Sequence, residues 1–286
     1  MLERLRQVAF LVKDLEEGKE LYRRHLGMET CHSEDLSNYG LLNAVLPAGA
    51  GTFIELLQPT SDDSAAARYL ERRGEAPYML IFETSEYDRL IPHLKSMGVR
   101  LSEGPATGDY RHSFVHPSSA NGALLEIIEV TDGENPWPPA GPDWQTLKHQ
   151  PLTKQIRQMA VLVRDLDEAI VNWEKMFGIK STKRFQVSFT DLEIAVLPLG
   201  GKDTFIELAQ PTGGDVPSAR FLERYGEGIY LTIYEIEDSL AMDDYLKGQD
   251  ARYTSSRVTS NYVNLGFNSI WLHPAGMKGA FTQLSQ

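Results

Sequence analysis

The chain opens with an apolar segment of strand character, followed by one of helical character. QVAFLVK at 7–13 is a run of β-branched and other apolar residues, which is typical of a strand. Asp14 then suits a helix N-cap, apolar residues recur at helical spacing after it, and Gly27 suits the end of the helix. The same reasoning predicts further strands near 28–33, 40–47, 52–58, 78–84, 99–103, 111–116 and 123–130, a short helix within 61–74 and a second long helix at 85–98.

The segment FIELLQPT at 53–60 places a carboxylate between apolar strand residues. Side chains alternate along a strand, so Glu55 points to one face while Ile54 and Leu56 point to the other. A glutamate on a solvated sheet face is the ordinary explanation of such a pattern. A glutamate facing into a functional site is the alternative.

Most of the chain occurs twice, and FIELLQPT returns as FIELAQPT at 205–212. The repeat divides the chain into homologous halves at 1–132 and 153–286, with a Pro-rich linker at 133–152. Each half predicts the order βαβββ twice, so we expect an α+β fold of four βαβββ modules rather than alternating βα units. The other matching pairs are 6–17 with 157–168, 44–60 with 195–212, 66–83 with 218–235, 114–117 with 271–274 and 122–129 with 279–286.

Composition narrows the class of protein. The 286 residues are 42% hydrophobic and 24% charged, which is typical of a globular protein, and the formal net charge is −12. An acidic chain of this kind argues against nucleic acid or an anionic membrane as partner. Cys31 is the only cysteine, and we find neither a signal peptide nor an apolar run long enough to span a membrane, so we expect a cytoplasmic protein with a small-molecule ligand. A homo-oligomer is compatible with the sequence.

The motifs together resemble the vicinal oxygen chelate (VOC) superfamily. They are the strand followed by DLEE and a helix ending in LGM, then FIELLQPT, ARYLERRGE, FVHP and GALLEIIE. This superfamily includes glyoxalase I, methylmalonyl-CoA epimerase, extradiol dioxygenases and fosfomycin or bleomycin resistance proteins. The segment 54–75 is most similar to methylmalonyl-CoA epimerase, and the ligand positions are partly similar to those of glyoxalase I. The resemblance implies tandem VOC barrels, each formed by two modules and each with room for one site.

The resemblance also implies a set of inward-facing site residues. In the first half the matching positions are Gln7, Glu55, Tyr78 and Glu126. Gln7, Glu55 and Glu126 would bind a divalent metal (Mg, Mn, Zn or Ni), with Tyr78 as an additional ligand, although metal-free catalysis is an alternative. Glu126, Glu55 and Tyr78 would be the catalytic residues, with Glu126 the best candidate for the base. The equivalents in the second half, which we expect to be inactive, are Gln158, Glu207, Tyr230 and Gln283.

Ordinary structural roles compete with each of these assignments. Gln7 can simply form hydrogen bonds inside the barrel, and Tyr78 can be a pocket wall. Among the histidines, His112 alternates with Phe114 and can point into the barrel. The remaining histidines are interpreted as structural (His116, His273) or as surface residues (His25, His32, His93, His149).

The resemblance implies an isomerase or lyase that uses carboxylate acid/base chemistry on a small carbonyl or acyl substrate in the first barrel. The epimerase branch carries a further glutamate where this chain has Asn43, which argues against an unchanged epimerase site. Extradiol dioxygenase activity is disfavoured because the inward positions lack the two histidines it requires. The alternative is a non-catalytic small-molecule binding protein of the bleomycin-resistance type.

Overall fold

The computed structural model of the protein describes residues 1–131, 135–187, 190–200, 204–257 and 268–286. No helix within these ranges is both long and apolar enough to cross a membrane.

The first half contains two modules joined by a short helix. The first module is β1 (Arg4–Leu11), α1 (Leu15–Leu26), β2 (His32–Leu36), β3 (Leu41–Gly49) and β4 (Thr52–Pro59). The connecting helix is α2 (Ala65–Arg73). The second module is β5 (Ala76–Glu83), α3 (Tyr87–Ser96), β6 (Leu101–Glu103), β7 (Tyr110–Val115) and β8 (Leu124–Val130).

The second half repeats this order. Its first module is β9 (Thr153–Leu162), α4 (Leu166–Phe177), β10 (Lys183–Val187), β11 (Leu192–Leu199) and β12 (Thr204–Pro211). After the connecting helix α5 (Pro217–Tyr225), its second module is β13 (Gly228–Ile236), α6 (Ser239–Lys247), β14 (Tyr253–Arg257), β15 (Asn268–Leu272) and β16 (Phe281–Ser285). The predicted α+β class with four βαβββ modules is confirmed.

Each half contributes one eight-stranded sheet. The strand order is β2-β3-β4-β1-β5-β8-β7-β6 in the first half and β10-β11-β12-β9-β13-β16-β15-β14 in the second. The outer strands pair antiparallel, whereas β5 with β8, β12 with β9, and β13 with β16 pair in parallel. The first and last strands of a module are therefore neighbours, which requires the helix that crosses between them.

The first helix of each half begins and ends where the sequence predicts. Asp14 accepts a hydrogen bond from the backbone N–H of Glu17 at 2.8 Å, and Asp165 accepts one from Glu168 at 2.9 Å. These caps satisfy amide groups that have no partner within the first turn of a helix. On α1, His25 is buried rather than exposed, which corrects the surface interpretation. It lies three residues after buried Tyr22 and so shares the packed face of the helix.

The described residues also group into two compact units. The first unit contains 1–7, 78–138 and 158–230, and the second contains 8–77, 139–157 and 231–286. Within the second unit, α1 packs Tyr22 against Phe10 of β1, with ring centroids 5.9 Å apart. The predicted division into domains at 1–132 and 153–286 stays a prediction.

Candidate functional site

The antiparallel pairing of β7 and β8 brings two polar residues to one face of the first sheet. Glu126 pairs with Phe114, and two residues further along His112 pairs with Ile128. The opposite face of β7 is covered by α3, because the hydroxyl of Tyr87 lies 2.5 Å from that of Ser113. His112 and Glu126 therefore face away from the helix.

His112 and Glu126 form a buried pair. Nδ1 of His112 lies 2.5 Å from Oε1 of Glu126, and the two residues are only 6% and 7% exposed. The two atoms are within hydrogen-bond distance, and each group supplies the partner that a buried polar group requires. The rings of Tyr110 and Phe114 contact the imidazole edge to face, with centroids 5.6 and 5.1 Å away.

The parallel pairing of β5 and β8 identifies the residues of β5 that share a face with Glu126. Glu126 pairs with Ile81, and Met79 pairs with Leu124. Since side chains alternate, Ile81 and Met79 lie on the face of Glu126, and Tyr78 is one residue out of that alternation. The resemblance gives Tyr78 as the inward-facing residue of β5, whereas the pairing places Met79 on the face of Glu126, and the thioether of Met79 cannot donate a proton.

Gln7 on β1 is held by a residue of the linker. The side chains of Gln7 and Trp137 are almost completely buried, and the indole N–H donates to Oε1 of Gln7 at 2.9 Å. The guanidinium of Arg6 lies over the indole ring, 4.7 Å from its centroid, and donates to the carbonyl of Pro136 at 3.3 Å. Burial lowers the pKa of Arg6 to about 10, opposed by the nearby Glu83 carboxylate.

Trp137 belongs to the set of site residues although the sequence analysis placed it in a linker. The signal that could have found it is an aromatic residue inside a Pro-rich segment, since large aromatic side chains are rarely left exposed without reason. Its hydrogen bond sets the orientation of the Gln7 amide. Oε1 faces the indole, so the NH2 group, which can donate two hydrogen bonds, faces the other way.

Glu55 on β4 is held in a similar way within the second unit. Asn43 of β3 donates from Nδ2 to Oε1 of Glu55 at 2.9 Å, and both residues are buried. The amide oxygen of Asn43 in turn accepts a hydrogen bond from the backbone N–H of Glu34 at 2.7 Å. Asn43 therefore orients the Glu55 carboxylate, but its amide cannot exchange a proton with that carboxylate.

The second half keeps the corresponding carboxylate in apolar surroundings. Glu207 is 6% exposed, and Nε2 of Gln158 donates to its Oε2. Burial raises the pKa of Glu207 to about 7, while the hydrogen bond from Gln158 acts in the opposite direction. Burial also raises the pKa of Tyr230 to about 12. The apolar cluster on this part of the sheet contains Leu162, Leu192, Ile194, Ala209 and Leu222, with Val187, Phe221 and Tyr230 packed against it.

The positions of the second half that correspond to His112 and Glu126 carry no histidine–carboxylate pair. The repeats FVHP/WLHP and GALLEIIE/GAFTQLSQ align His112 with Ser269 and Glu126 with Gln283. Nε2 of Gln283 donates to the hydroxyl of Ser269 at 3.2 Å, so the contact between the strands is kept. Neither side chain exchanges a proton near neutral pH, so this contact cannot act as an acid/base pair.

The predicted metal ligands are arranged for hydrogen bonding. Within the described ranges, no group of three or more His, Cys, Asp or Glu side chains lies close enough together to hold a metal ion. Each predicted ligand has a protein partner on a side-chain oxygen: Trp137 on Gln7, Asn43 on Glu55 and His112 on Glu126. The role of Gln7, Glu55 and Glu126 as metal ligands stays a prediction.

Comparison with known proteins gives consistent matches over both halves. Two family models match, both described as the Glyoxalase/Bleomycin resistance protein/Dioxygenase superfamily, one over residues 4–127 and the other over residues 157–264. The ethylmalonyl-CoA/methylmalonyl-CoA epimerase of Cereibacter sphaeroides is 31% identical over 135 residues, which are 46% of this chain and 100% of that protein. The mitochondrial methylmalonyl-CoA epimerase of Bos taurus is 31% identical over 133 residues, which are 45% of this chain and 75% of that protein.

One solved structure is similar over the whole chain. A mutant of 4-hydroxymandelate synthase from Streptomyces coelicolor aligns with a TM-score of 0.77, covering 100% of this chain and 92% of that one. Its sequence identity is 14%, so the comparison shows a shared fold and nothing about the reaction.

Proposed function

The chain belongs to the glyoxalase/bleomycin resistance protein/dioxygenase superfamily, the VOC superfamily that its motifs resemble, and on that premise we propose an isomerase-type enzyme. It moves a proton on the carbon next to the carbonyl group of a small acyl substrate. The reaction takes place in the first half. The observation that carries this proposal is the buried pair of His112 and Glu126, whose counterpart in the second half is Ser269 and Gln283.

Glu126 acts as the base in this proposal. One carboxylate oxygen, Oε1, is held by His112, so the other, Oε2, accepts the proton from the substrate carbon. The imidazole stabilises the carboxylate between turnovers and fixes its direction, which is what a general base in a buried site requires.

Removing the proton places negative charge on the carbonyl oxygen of the substrate. We assign its stabilisation to Gln7, because the indole N–H of Trp137 binds Oε1 and so sets the direction of the Gln7 amide. The strands that carry Gln7 and Glu126, β1 and β8, flank β5 in the sheet. Superfamily members often use a divalent metal for this purpose; the donors described here are a protein-based alternative.

Two relatives support an acyl thioester as substrate, since both are named as epimerases of malonyl-CoA derivatives. Epimerisation also needs a proton donor on the opposite side of the carbon, and we assign no residue to that step; the catalytic role of Glu55 stays a prediction. Asn43 replaces the further glutamate of the epimerase branch, so we propose a thioester substrate without assigning the acyl group.

We assign a non-catalytic role to the second half. Its contact between Gln283 and Ser269 cannot transfer a proton, and Glu207 is buried with its Oε2 bound by Gln158. These features fit structural support or the binding of an apolar ligand.

Hydrogen exchange at the substrate carbon tests the proposal. The full chain is incubated with methylmalonyl-CoA in D2O, and uptake of deuterium next to the carbonyl is followed by mass spectrometry. We expect uptake by the wild type, a loss of roughly 100-fold or more in Glu126→Gln, and retention in the matched second-half variant Glu207→Gln. Wild-type exchange in Glu126→Gln would exclude Glu126 as the base.

A further inference from the structure

Gly104 lies directly opposite His112 at the end of the β6–β7 hairpin. The antiparallel pairing runs from Leu101 with Val115 to Glu103 with Ser113. One step further, the backbone N–H of Gly104 donates to the carbonyl of His112 at 3.1 Å. The two residues are therefore cross-strand neighbours.

The missing side chain of Gly104 makes room for the imidazole of His112. A Cβ atom built on Gly104 would lie 1.8 Å from Nε2, 2.4 Å from Cδ2 and 2.5 Å from Cε1 of that ring. These separations are far inside van der Waals contact. The φ of Gly104 is outside the left-handed region, so the close approach of the ring, and not the backbone, is what requires glycine here.

The imidazole cannot easily turn away from a side chain at position 104. Its Nδ1 is 2.5 Å from Glu126, and the rings of Tyr110 and Phe114 contact it. A ring forced out of the recess would separate Nδ1 from Oε1 of Glu126. Packing at Gly104 and the hydrogen bond to Glu126 are thus coupled through one side chain.

In the second half, serine occupies both of the corresponding positions. In the pairing of β14 with β15, Ser256 comes opposite Ser269, at the places that correspond to Gly104 and His112. Glycine is thus present at this position in the half that has an imidazole opposite, and serine in the half that does not.

We infer that Gly104 is a positioning residue of the acid/base pair, because it forms the recess that holds the Nε2 edge of His112 and directs Nδ1 to Glu126. This inference rests on the proposed function, since positioning affects turnover only if Glu126 transfers the proton. It also assigns the roles within the pair. Gly104 lies against the Nε2 edge of His112, so we assign the contact with the substrate to the carboxylate of Glu126, and His112 acts through it.

Gly104→Ala tests the inference, and Gly108→Ala is the matched control. Gly108 lies in the same hairpin loop, and a Cβ added there would meet nothing within 4 Å. The first measurement is the low-field proton NMR signal of His112 Nδ1–H, assigned by its loss in His112→Ala. We expect Gly104→Ala to lose this signal and Gly108→Ala to keep it. Deuterium uptake by methylmalonyl-CoA should fall roughly tenfold or more in Gly104→Ala only.

A double mutant keeps the inference testable if Gly104→Ala folds poorly. In the wild-type background, Gly104→Ala overpacks the recess and should lower the Tm by about 5 °C. In the His112→Ala background the recess is empty, so the same substitution should leave the Tm unchanged. Equal Tm losses in the two backgrounds would overturn the inference.

The outcomes separate this inference from the proposed function. A low-field signal that persists in Gly104→Ala overturns the positioning role, whatever the activity. If the wild type shows no exchange with methylmalonyl-CoA but Gly104→Ala still loses the signal, the recess is supported and the proposed reaction fails.

Discussion

Glu207→Gln should stabilise the protein in a manner that depends on pH. Burial raises the pKa of Glu207 from the ordinary 4.5 of glutamate to about 7. The folded state therefore binds this proton more tightly than the unfolded state. As pH rises through the interval between about 4.5 and 7, the unfolded chain releases the proton first, and folding becomes less favourable. Glutamine at this position has no proton to release.

The size of the effect follows from the pKa difference. The difference of 7 − 4.5, or about 2.5 pKa units, corresponds to about 3 kcal/mol of unfolding free energy at 1.36 kcal/mol per unit. The destabilisation caused by ionising Glu207 is near zero below pH of about 4.5 and complete above pH of about 7. We expect Glu207→Gln to match the wild type at the acidic end and to exceed its stability by up to about 3 kcal/mol at the alkaline end.

Urea unfolding at a series of pH values between about 4.5 and 8.5 measures this difference. Glu223→Gln is the control, because Glu223 is an exposed glutamate on the neighbouring helix α5. Its stability should follow the wild type at every pH. A stability difference for Glu207→Gln that does not change with pH would refute the reasoning, because it would show that Glu207 titrates alike in the folded and unfolded chain.

Two further substitutions test other parts of the structure. Trp137→Phe removes the donor to Gln7 while keeping an aromatic ring, so it should lower the free energy of unfolding by about 1 kcal/mol and slow deuterium uptake; no change in either would contradict the role given to the indole. Gly49→Ala would place a Cβ 2.2 Å from the carbonyl oxygen of Lys154 at a φ of 96°, so its Tm should fall well below that of Gly98→Ala, where φ is 73° and the space is open. Equal Tm losses would show that the clash with Lys154 is relieved without cost.

The fold could be predicted because its determinants are local and are repeated. The switch between periods of 2 and about 3.6 residues identifies strands and helices, and the N-cap at Asp14 recurs at Asp165. A repeat of whole modules then fixes the order of elements in the second half. All of these inferences can be made without knowing which strands pair.

The site was predicted less completely because it depends on register and on contacts between distant residues. A shift of one residue along β5 exchanges Tyr78 for Met79 on the face of Glu126, and the sequence alone does not show which is correct. The alternation of side chains along the strand indicates that His112 can point toward the site. It does not identify Glu126 as the partner of His112. Trp137 was assigned to a linker because nothing local links it to Gln7, which precedes it by 130 positions.

The contact between Trp137 and Gln7 gives the protein an optical consequence. Indole emission responds to nearby charge and to water, and here the ring lies under a guanidinium and donates its N–H to the amide proposed to contact substrate. A ligand that draws the Gln7 amide toward itself would change that hydrogen bond and therefore the emission. The chain has four tryptophans. Replacing the other three with phenylalanine would leave Trp137 as the single tryptophan, whose emission would report ligand binding at Gln7 without any added label.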